Sequence, residues 1–139
     1  MTATKPPESA TGLLSKRQLD MPIGTDYKFI LHRVKEGENL DQYAAQYNTS
    51  TEAIILINYN LKTPVWVDTV VIIPVDLMNV GNLPSFEAYN VLQPGNSPNA
   101  LAKELMVDAA DLKYYNALHD TESLLVGDWL LVPRPRAAP

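Results

Sequence analysis

The feature of this sequence that most restricts its fold is an internal repeat. When the chain is shifted by 58 positions, Gly37 falls on Gly95, Ala44 on Ala102 and Asn58 on Asn116. Other coinciding pairs are Val34 with Leu92, Tyr47 with Leu105, Ile54 with Leu112 and Leu56 with Tyr114, and, after one inserted residue, Val71, Ile73 and Pro74 with Leu130, Val132 and Pro133. A chain built this way is expected to fold as two copies of one small unit.

The repeat divides the chain into five parts. The copies are residues 27–76 and 86–133, and residues 77–85, which contain Gly81 and Pro84, form the linker between them. Residues 1–26 are polar and contain Pro6 and Pro7, so we expect a flexible N-terminal tail. Residues 134–139 form a short Pro-rich C-terminal extension.

Each copy predicts the same order of elements, β-α-α-β. In the first copy, residues 27–34 are rich in aromatic and β-branched residues and predict a strand. Apolar residues at helical spacing follow, namely Leu40, Tyr43, Ala44 and Tyr47. Asn39 with Gln42 predicts the cap of this helix, and Thr49 with Glu52 predicts the cap of a second one. Residues 70–73, ended by Pro74, predict the closing strand.

The second copy repeats this order with different residues. Ser97 is the predicted cap, and Pro98 occupies the first helical position, where its missing N–H costs nothing. Asp108 opens the second helix, and residues 129–132 form the last strand. The fold class is therefore α+β, with two small units that each hold a two-stranded antiparallel sheet and carry both helices on one face.

The spacing of these residues resembles the LysM domain, a small β-α-α-β module that usually occurs in tandem. In the first copy the matching residues are Val34, Gly37, Leu40, Tyr43, Ala44, Tyr47, Ile54, Asn58, Val71, Ile73 and Pro74. In the second they are Leu92, Gly95, Leu101, Ala102, Leu105, Leu112, Asn116, Gly127, Leu130, Val132 and Pro133. The sequence departs from the family where an Asp usually follows the glycine: Glu38 and Asn96 stand there.

The resemblance implies binding of glycans that contain N-acetylglucosamine, such as peptidoglycan or chitin, without catalysis. The implied ligand-binding residues of the first copy are Gly37, Glu38, Asn39 and Leu40, facing Asn60, Leu61 and Lys62. Those of the second copy are Gly95, Asn96, Ser97 and Pro98, facing Leu118, His119 and Asp120. Two weak sites on one polymer gain through effective concentration. The departures lie in these loops, whereas the scaffold positions are kept.

Other functional classes find little support in the residues. A formal net charge of -5 argues against a general nucleic-acid binder. We expect no cofactor and no metal site, since there is no Cys and His32 and His119 stand far apart in the sequence. We also expect no catalytic residues and no membrane insertion. We assign turn or helix-end roles to Gly37, Gly95, Asn58 and Asn116 in preference to ligand contacts.

Two observations leave a second function open. The run from Val65 to Ile73 is apolar on both faces, so the first copy is expected to pack against the second copy or another subunit. Trp66 is interpreted first as a core residue and alternatively as an exposed anchor for a sugar or a partner. The alternative function is a structural adaptor that docks protein subunits in a large assembly, such as a contractile phage tail or an injection machine.

Residues 1–20 show no export signal, and no apolar run in the sequence is long enough to span a bilayer. The expected location is therefore the cytoplasm or a released assembly. Association with the cell wall is expected if the protein is exported by another route.

Overall fold

The structure, a computed structural model, describes residues 17–135. Unit one contains β1 (Phe29–Arg33), α1 (Leu40–Tyr47), α2 (Thr51–Ile57) and β2 (Val70–Pro74). Unit two contains β3 (Ser85–Asn90), α3 (Pro98–Leu105), α4 (Ala109–Asn116) and β4 (Trp129–Arg134). The predicted α+β class and the β-α-α-β order are confirmed in both units. None of the helices within the described range is long and apolar enough to cross a bilayer.

Each unit holds one two-stranded antiparallel sheet. In unit one, Phe29 lies opposite Pro74 and Arg33 opposite Val70. In unit two, Ser85 lies opposite Arg134 and Asn90 opposite Trp129. Two strands alone are not stable in water, so each sheet needs the helices and the other unit to cover it.

The helices begin at polar caps. The Asn39 side chain accepts from the Gln42 N–H, and the Gln42 side chain accepts from the Asn39 N–H, so the predicted capping box is confirmed. Ser97 and Asp108 cap α3 and α4, also as predicted. The predicted pairing of Thr49 with Glu52 is wrong, since α2 is capped by Ser50.

Thr49 does not cap α2 because its hydroxyl bonds elsewhere. The Ser50 side chain accepts from the Ala53 N–H at 3.0 Å. The hydroxyl of Thr49 instead donates to the carbonyl of Leu77 at 2.6 Å, and Thr49 is buried. Thr49 therefore holds the start of the linker against unit one, a role that depends on the tertiary fold.

Three apolar clusters form the core. Alternate strand residues of unit one face its own helices, with Ile30, Val71 and Ile73 packed on Leu40, Tyr43 and Ile54. Unit two has the corresponding cluster around Leu101, Leu112, Leu130 and Val132. The third cluster lies between the units and contains Ile23, Phe29, Leu31, Ala53, Ile57, Ile72, Val80, Leu83, Phe86 and Leu131.

This third cluster explains why β2 is apolar on both faces. The Phe29 and Phe86 rings meet edge to face, with centroids 5.2 Å apart, and Phe86 meets Tyr115 at 4.9 Å. The face of each sheet that the helices leave open is thus buried against the other unit. The expectation that unit one packs against unit two is confirmed, and the two units share a core.

Residues 17–26, which the sequence assigns to the tail, lie against both units and are called the N-terminal segment here. The Asp20 N–H donates to the Leu31 carbonyl at 2.8 Å, and Ile23 forms an antiparallel bridge with Phe29. At its start, the Arg17 carbonyl accepts from the Trp129 N–H at 2.7 Å. The rest of the predicted tail, residues 1–16, and residues 136–139 of the C-terminal extension lie outside the described residues.

Candidate functional site

A groove of about 300 Å³ lies in unit one between the β1–α1 loop and the α2–β2 loop. Its lining residues are Glu38, Asn39, Leu40, Asp41, Thr51, Ile55, Thr63, Pro64 and Val65. Apolar side chains alternate with hydroxyl, amide and carboxylate groups in this lining. Such a surface can contact a methyl group while main-chain and side-chain polar atoms bond to hydroxyl or amide groups of a neutral ligand.

The first wall of the groove corresponds closely to the residues implied by the sequence. Glu38, Asn39 and Leu40 line it, whereas Gly37 does not. Gly37 has φ +85°, and a Cβ placed on it would meet nothing within 4 Å. Its role is therefore the turn conformation that favours glycine, as the sequence indicated, and Gly95 has the same conformation with φ +83°.

The second wall is displaced along the chain from the expected position. Residues 63–65 line the groove, and Asn60, Leu61 and Lys62 lie instead on the far side of the α2–β2 loop, in a cavity between the two units. Sequence spacing alone does not give this result, because the path of an irregular loop depends on what it packs against. Leu61 and Val65 both pack against the core of unit one, and residues 60–62 face the cavity between the units.

A cluster around His32 fixes the β1–α1 loop. One oxygen of Glu38, Oε1, accepts from the Lys35 N–H at 2.9 Å and from the Tyr43 hydroxyl at 2.8 Å. The same oxygen lies 2.9 Å from Nε2 of His32, whose Nδ1 lies 2.6 Å from Asp20 Oδ1. The hydrogen bonds of Glu38 therefore stabilise the β1–α1 loop, and Asp20 joins the N-terminal segment to the same imidazole.

The charges of this cluster follow from its geometry. The hydrogen bond from His32, and then those from Lys35 and Tyr43, lower the pKa of Glu38 to about 2. Burial alone would lower the pKa of His32, but the hydrogen bonds to Asp20 and Glu38 outweigh it, so the pKa lies above 6.5. Burial and the bond to Glu38 raise the pKa of the Tyr43 phenol. The site therefore favours a protonated imidazole between two carboxylates.

The corresponding loops of unit two are joined to each other. The Gly95 N–H donates to the Leu124 carbonyl at 2.9 Å, and the Leu124 N–H donates to the Asn96 carbonyl at the same distance. Leu124 and Leu118 are buried, and Ser97 and Pro98 are held at the start of α3. His119 and Asp120 are exposed. Between residues 37–40 and 63–65 of unit one, the structure shows no main-chain hydrogen bond of this kind.

Two buried asparagines, Asn58 and Asn116, connect a helix to a strand in each unit. Asn58 Nδ2 donates to the carbonyls of Ile54 and Ile72, both at 2.7 Å, and its Oδ1 accepts from the Ile72 N–H at 2.8 Å. Asn116 makes the same three bonds to Leu112 and Leu131 at 2.7–2.8 Å. The structural role assigned to both residues is confirmed, since they fix the end of a helix against the last strand of each unit.

Trp66 lies in the α2–β2 loop, directly after the second wall of the groove, and 77% of its surface is exposed. The first interpretation of this residue, as part of the core, is therefore wrong. Trp129 is half-buried and packs against the core between the units. Within residues 17–135, no group of three or more acidic or histidine side chains is arranged to hold a metal ion.

Comparison with known proteins gives a family match and similar solved structures. The LysM domain family model matches residues 32–74. The chain is similar to the spore cortex-lytic enzyme SleL of Bacillus cereus, known from a crystal structure, with 24% identity and a TM-score of 0.31. That match covers 78% of this chain and 23% of SleL, so the chain spans less than a quarter of the enzyme's length. Curated protein sequences give no match.

The family match covers the part of unit one that runs from β1 to β2 and includes both walls of the groove. LysM is a binding module and not a catalytic domain. Residues 32–74 of this chain are therefore similar to a LysM domain.

Proposed function

We propose that the chain is a non-catalytic glycan-binding protein, and that the groove of unit one takes a polysaccharide containing N-acetylglucosamine, of the peptidoglycan or chitin type. The observation that carries the proposal is the open groove between the two loops of the matched LysM domain. Leu40, Ile55 and Val65 offer apolar surface for the acetyl methyl group. Asn39, Thr63 and main-chain groups offer hydrogen bonds to the amide and hydroxyl groups.

We further propose that unit two is a divergent LysM repeat that has kept the scaffold and lost an open groove. The shared bonds of Asn58 and Asn116 support descent from one unit. The two main-chain bonds of Leu124 occupy polar groups that a ligand in the second copy needs. The residues named for this copy, Gly95, Asn96, Ser97, Pro98, Leu118 and His119, then serve folding more than binding.

A pull-down with insoluble peptidoglycan and chitin tests the proposal. Ile55→Glu places a charge in the groove, and Leu56→Glu places the same charge on the adjacent residue of α2, which is equally exposed and does not line the groove. We expect the wild-type chain and Leu56→Glu to bind and Ile55→Glu to lose most of its binding. Equal binding by both variants, or none by the wild-type chain, contradicts the proposal.

A structural adaptor in a large assembly, for example a phage tail or an injection machine, remains the second candidate. The exposed apolar side chains of Leu56, Tyr59, Trp66 and Val67 in unit one favour it. The N-terminal segment does not favour it, because residues 17–26 pack on their own chain. Co-purification of a stoichiometric protein partner with the full chain is the observation that decides for this function.

A further inference from the structure

A second cavity lies between the two units, on the other side of the α2–β2 loop from the groove. It measures about 610 Å³. Unit one contributes residues 58–62, Trp66, Thr69 and Val70, and unit two contributes residues 86–88 and Trp129. The proposed glycan site makes no use of this space, which is open to solvent.

The edge of β2 is open where it meets the cavity. Asn58 bonds to both the N–H and the carbonyl of Ile72, so these groups face away from β1. Val70, two residues earlier, presents its N–H and carbonyl on the same side. At the equivalent position of unit two, the Trp129 N–H donates to Arg17. In the described part of the chain, the main-chain groups of Val70 have no such partner.

The edge of β3 opens onto the same cavity. The Phe86 carbonyl accepts from the Tyr59 N–H at 2.8 Å, which shows which edge of β3 faces unit one. Ala88, two residues later, presents its N–H and carbonyl on that edge, and no residue among positions 17–135 bonds to them there. An unpaired strand edge is a template for an added strand. Here two such open edges, one at Val70 of β2 and one at Ala88 of β3, line the same cavity.

Side chains around these edges add apolar surface. Trp66 is 77% exposed and Tyr59 is 40% exposed, and Trp129 lies half-buried between them and the core. Exposed aromatic residues in a cleft are typical of binding surfaces, where a few of them dominate the free energy of association. An extended peptide places alternate side chains on one face, which suits a surface of this kind.

Two cations, one in the lining and one beside it, lie at this cavity although the chain carries a net charge of -5. Lys62 lines the cavity, and the Arg33 guanidinium lies 6.0 Å from the Trp129 ring centroid. Neither side chain forms a salt bridge with any residue of the described range. The carboxylate of the cavity, Glu87, already accepts from Arg134 Nε at 3.0 Å. The Arg33 guanidinium donates to the Asp68 carbonyl at 3.3 Å, so its charge has no carboxylate partner among the described residues. An acidic ligand can pair with both cations, and a neutral glycan cannot.

We propose that this cavity binds an extended, acidic peptide segment of a protein partner by strand addition. The peptide main chain pairs with the open edges at Val70 and Ala88, an apolar side chain packs on Trp66, and acidic side chains face Lys62 and Arg33. This interaction goes beyond glycan binding, and the two ligands occupy opposite sides of the α2–β2 loop.

Selection from a display library of random nonapeptides against the full chain tests the proposal. We expect enrichment of peptides in which acidic and apolar residues alternate. For the best synthetic peptide, Trp66→Ala is expected to weaken binding about 30-fold and Lys62→Glu roughly tenfold. N-methylation of alternate peptide nitrogens is expected to abolish binding, since it removes the main-chain donors.

Matched controls separate this site from the glycan groove. Leu92→Ala, which removes an apolar side chain as exposed as that of Trp66 from unit two, is expected to leave the affinity unchanged. Ile55→Glu is expected to abolish glycan binding and leave peptide binding intact. The proposal is overturned if no peptides are enriched, if the enriched peptides are not acidic, if N-methylation has no effect, or if a chitin oligomer binds in the cavity and loses affinity with Trp66→Ala.

Discussion

Asn58 and Asn116 each join the end of a helix to the last strand of a unit through one buried amide. A side chain with both a donor and an acceptor is needed, because each amide satisfies a carbonyl and an N–H of the same strand residue. Both positions were recognisable from the sequence as a repeated polar residue among apolar ones. Their partners on β2 and β4 could not be recognised from the sequence, because they lie 14 and 15 residues further along the chain.

Replacement of Asn116 by Ala is expected to destabilise the fold by about 2–4 kcal/mol, because the N–H and carbonyl of Leu131 lose their partner in a buried position. The measurement is urea unfolding followed by circular dichroism. Asn99→Ala, on the exposed side of α3, serves as control and is expected to change the free energy of unfolding by less than about 0.5 kcal/mol. Equal midpoints for both variants would contradict the assigned role.

The His32 cluster predicts a specific dependence of stability on pH. The pKa of His32 in the folded chain lies above 6.5, the usual value of a histidine, so its stabilising contribution is fully present below pH 6.5 and is lost as the pH rises through the folded pKa. The pKa of Glu38 is lowered from 4.5 to about 2, so its contribution is present above pH 4.5 and is lost as the pH falls toward 2.

Urea unfolding of the wild-type chain and of His32→Gln, over roughly pH 5 to 9, checks this prediction. The wild-type advantage is expected to be largest at the acidic end and to shrink as the pH rises. His119→Gln controls for loss of the other histidine. An advantage that grows with pH would show that the imidazole is not held as a cation.

At the scale of elements, the repeated pattern predicted the four strands and four helices because each depends on local signals. Asn39, Ser97 and Asp108 cap the helices as their positions indicated. The second wall of the groove was not predictable in this way. Its three residues belong to an irregular loop in which Leu61 and Val65 both pack on the core of unit one, so its course depends on tertiary contacts that leave no local pattern.

The N-terminal segment was also beyond prediction from composition. Polar residues and prolines indicate a tail, but Ile23 is 4% exposed and bridges Phe29, and Asp20 bonds to Leu31. Main-chain hydrogen bonds to strands carry no sequence pattern of their own. The segment therefore belongs to the fold of both units although it lies outside the repeat.

Ile23→Ala is expected to destabilise the chain by about 2–4 kcal/mol, because it opens a cavity in the core between the units. Met21→Ala, two residues earlier and 46% exposed, is the matched control and is expected to have little effect. Thermal unfolding measures both variants. Identical melting temperatures would indicate that the segment does not contribute to the core.

At the scale of the whole molecule, the chain combines two similar units with different surfaces. They share a core through Phe29 and Phe86, so neither sheet has an exposed apolar face. The sequence indicated this packing through the surplus of apolar residues in β2. It did not indicate that the corresponding loops are open in unit one and joined through Leu124 in unit two.

This difference leads to the proposal that unit one binds glycan and unit two does not. The most direct test is a titration of the isotope-labelled chain with a soluble oligomer of N-acetylglucosamine, followed by amide chemical shifts. We predict saturable shifts at residues 38–41 and 63–65 and unchanged shifts at residues 95–97 and 118–120. Shifts at the unit-two loops, or no saturable shifts in either unit, would contradict the claim.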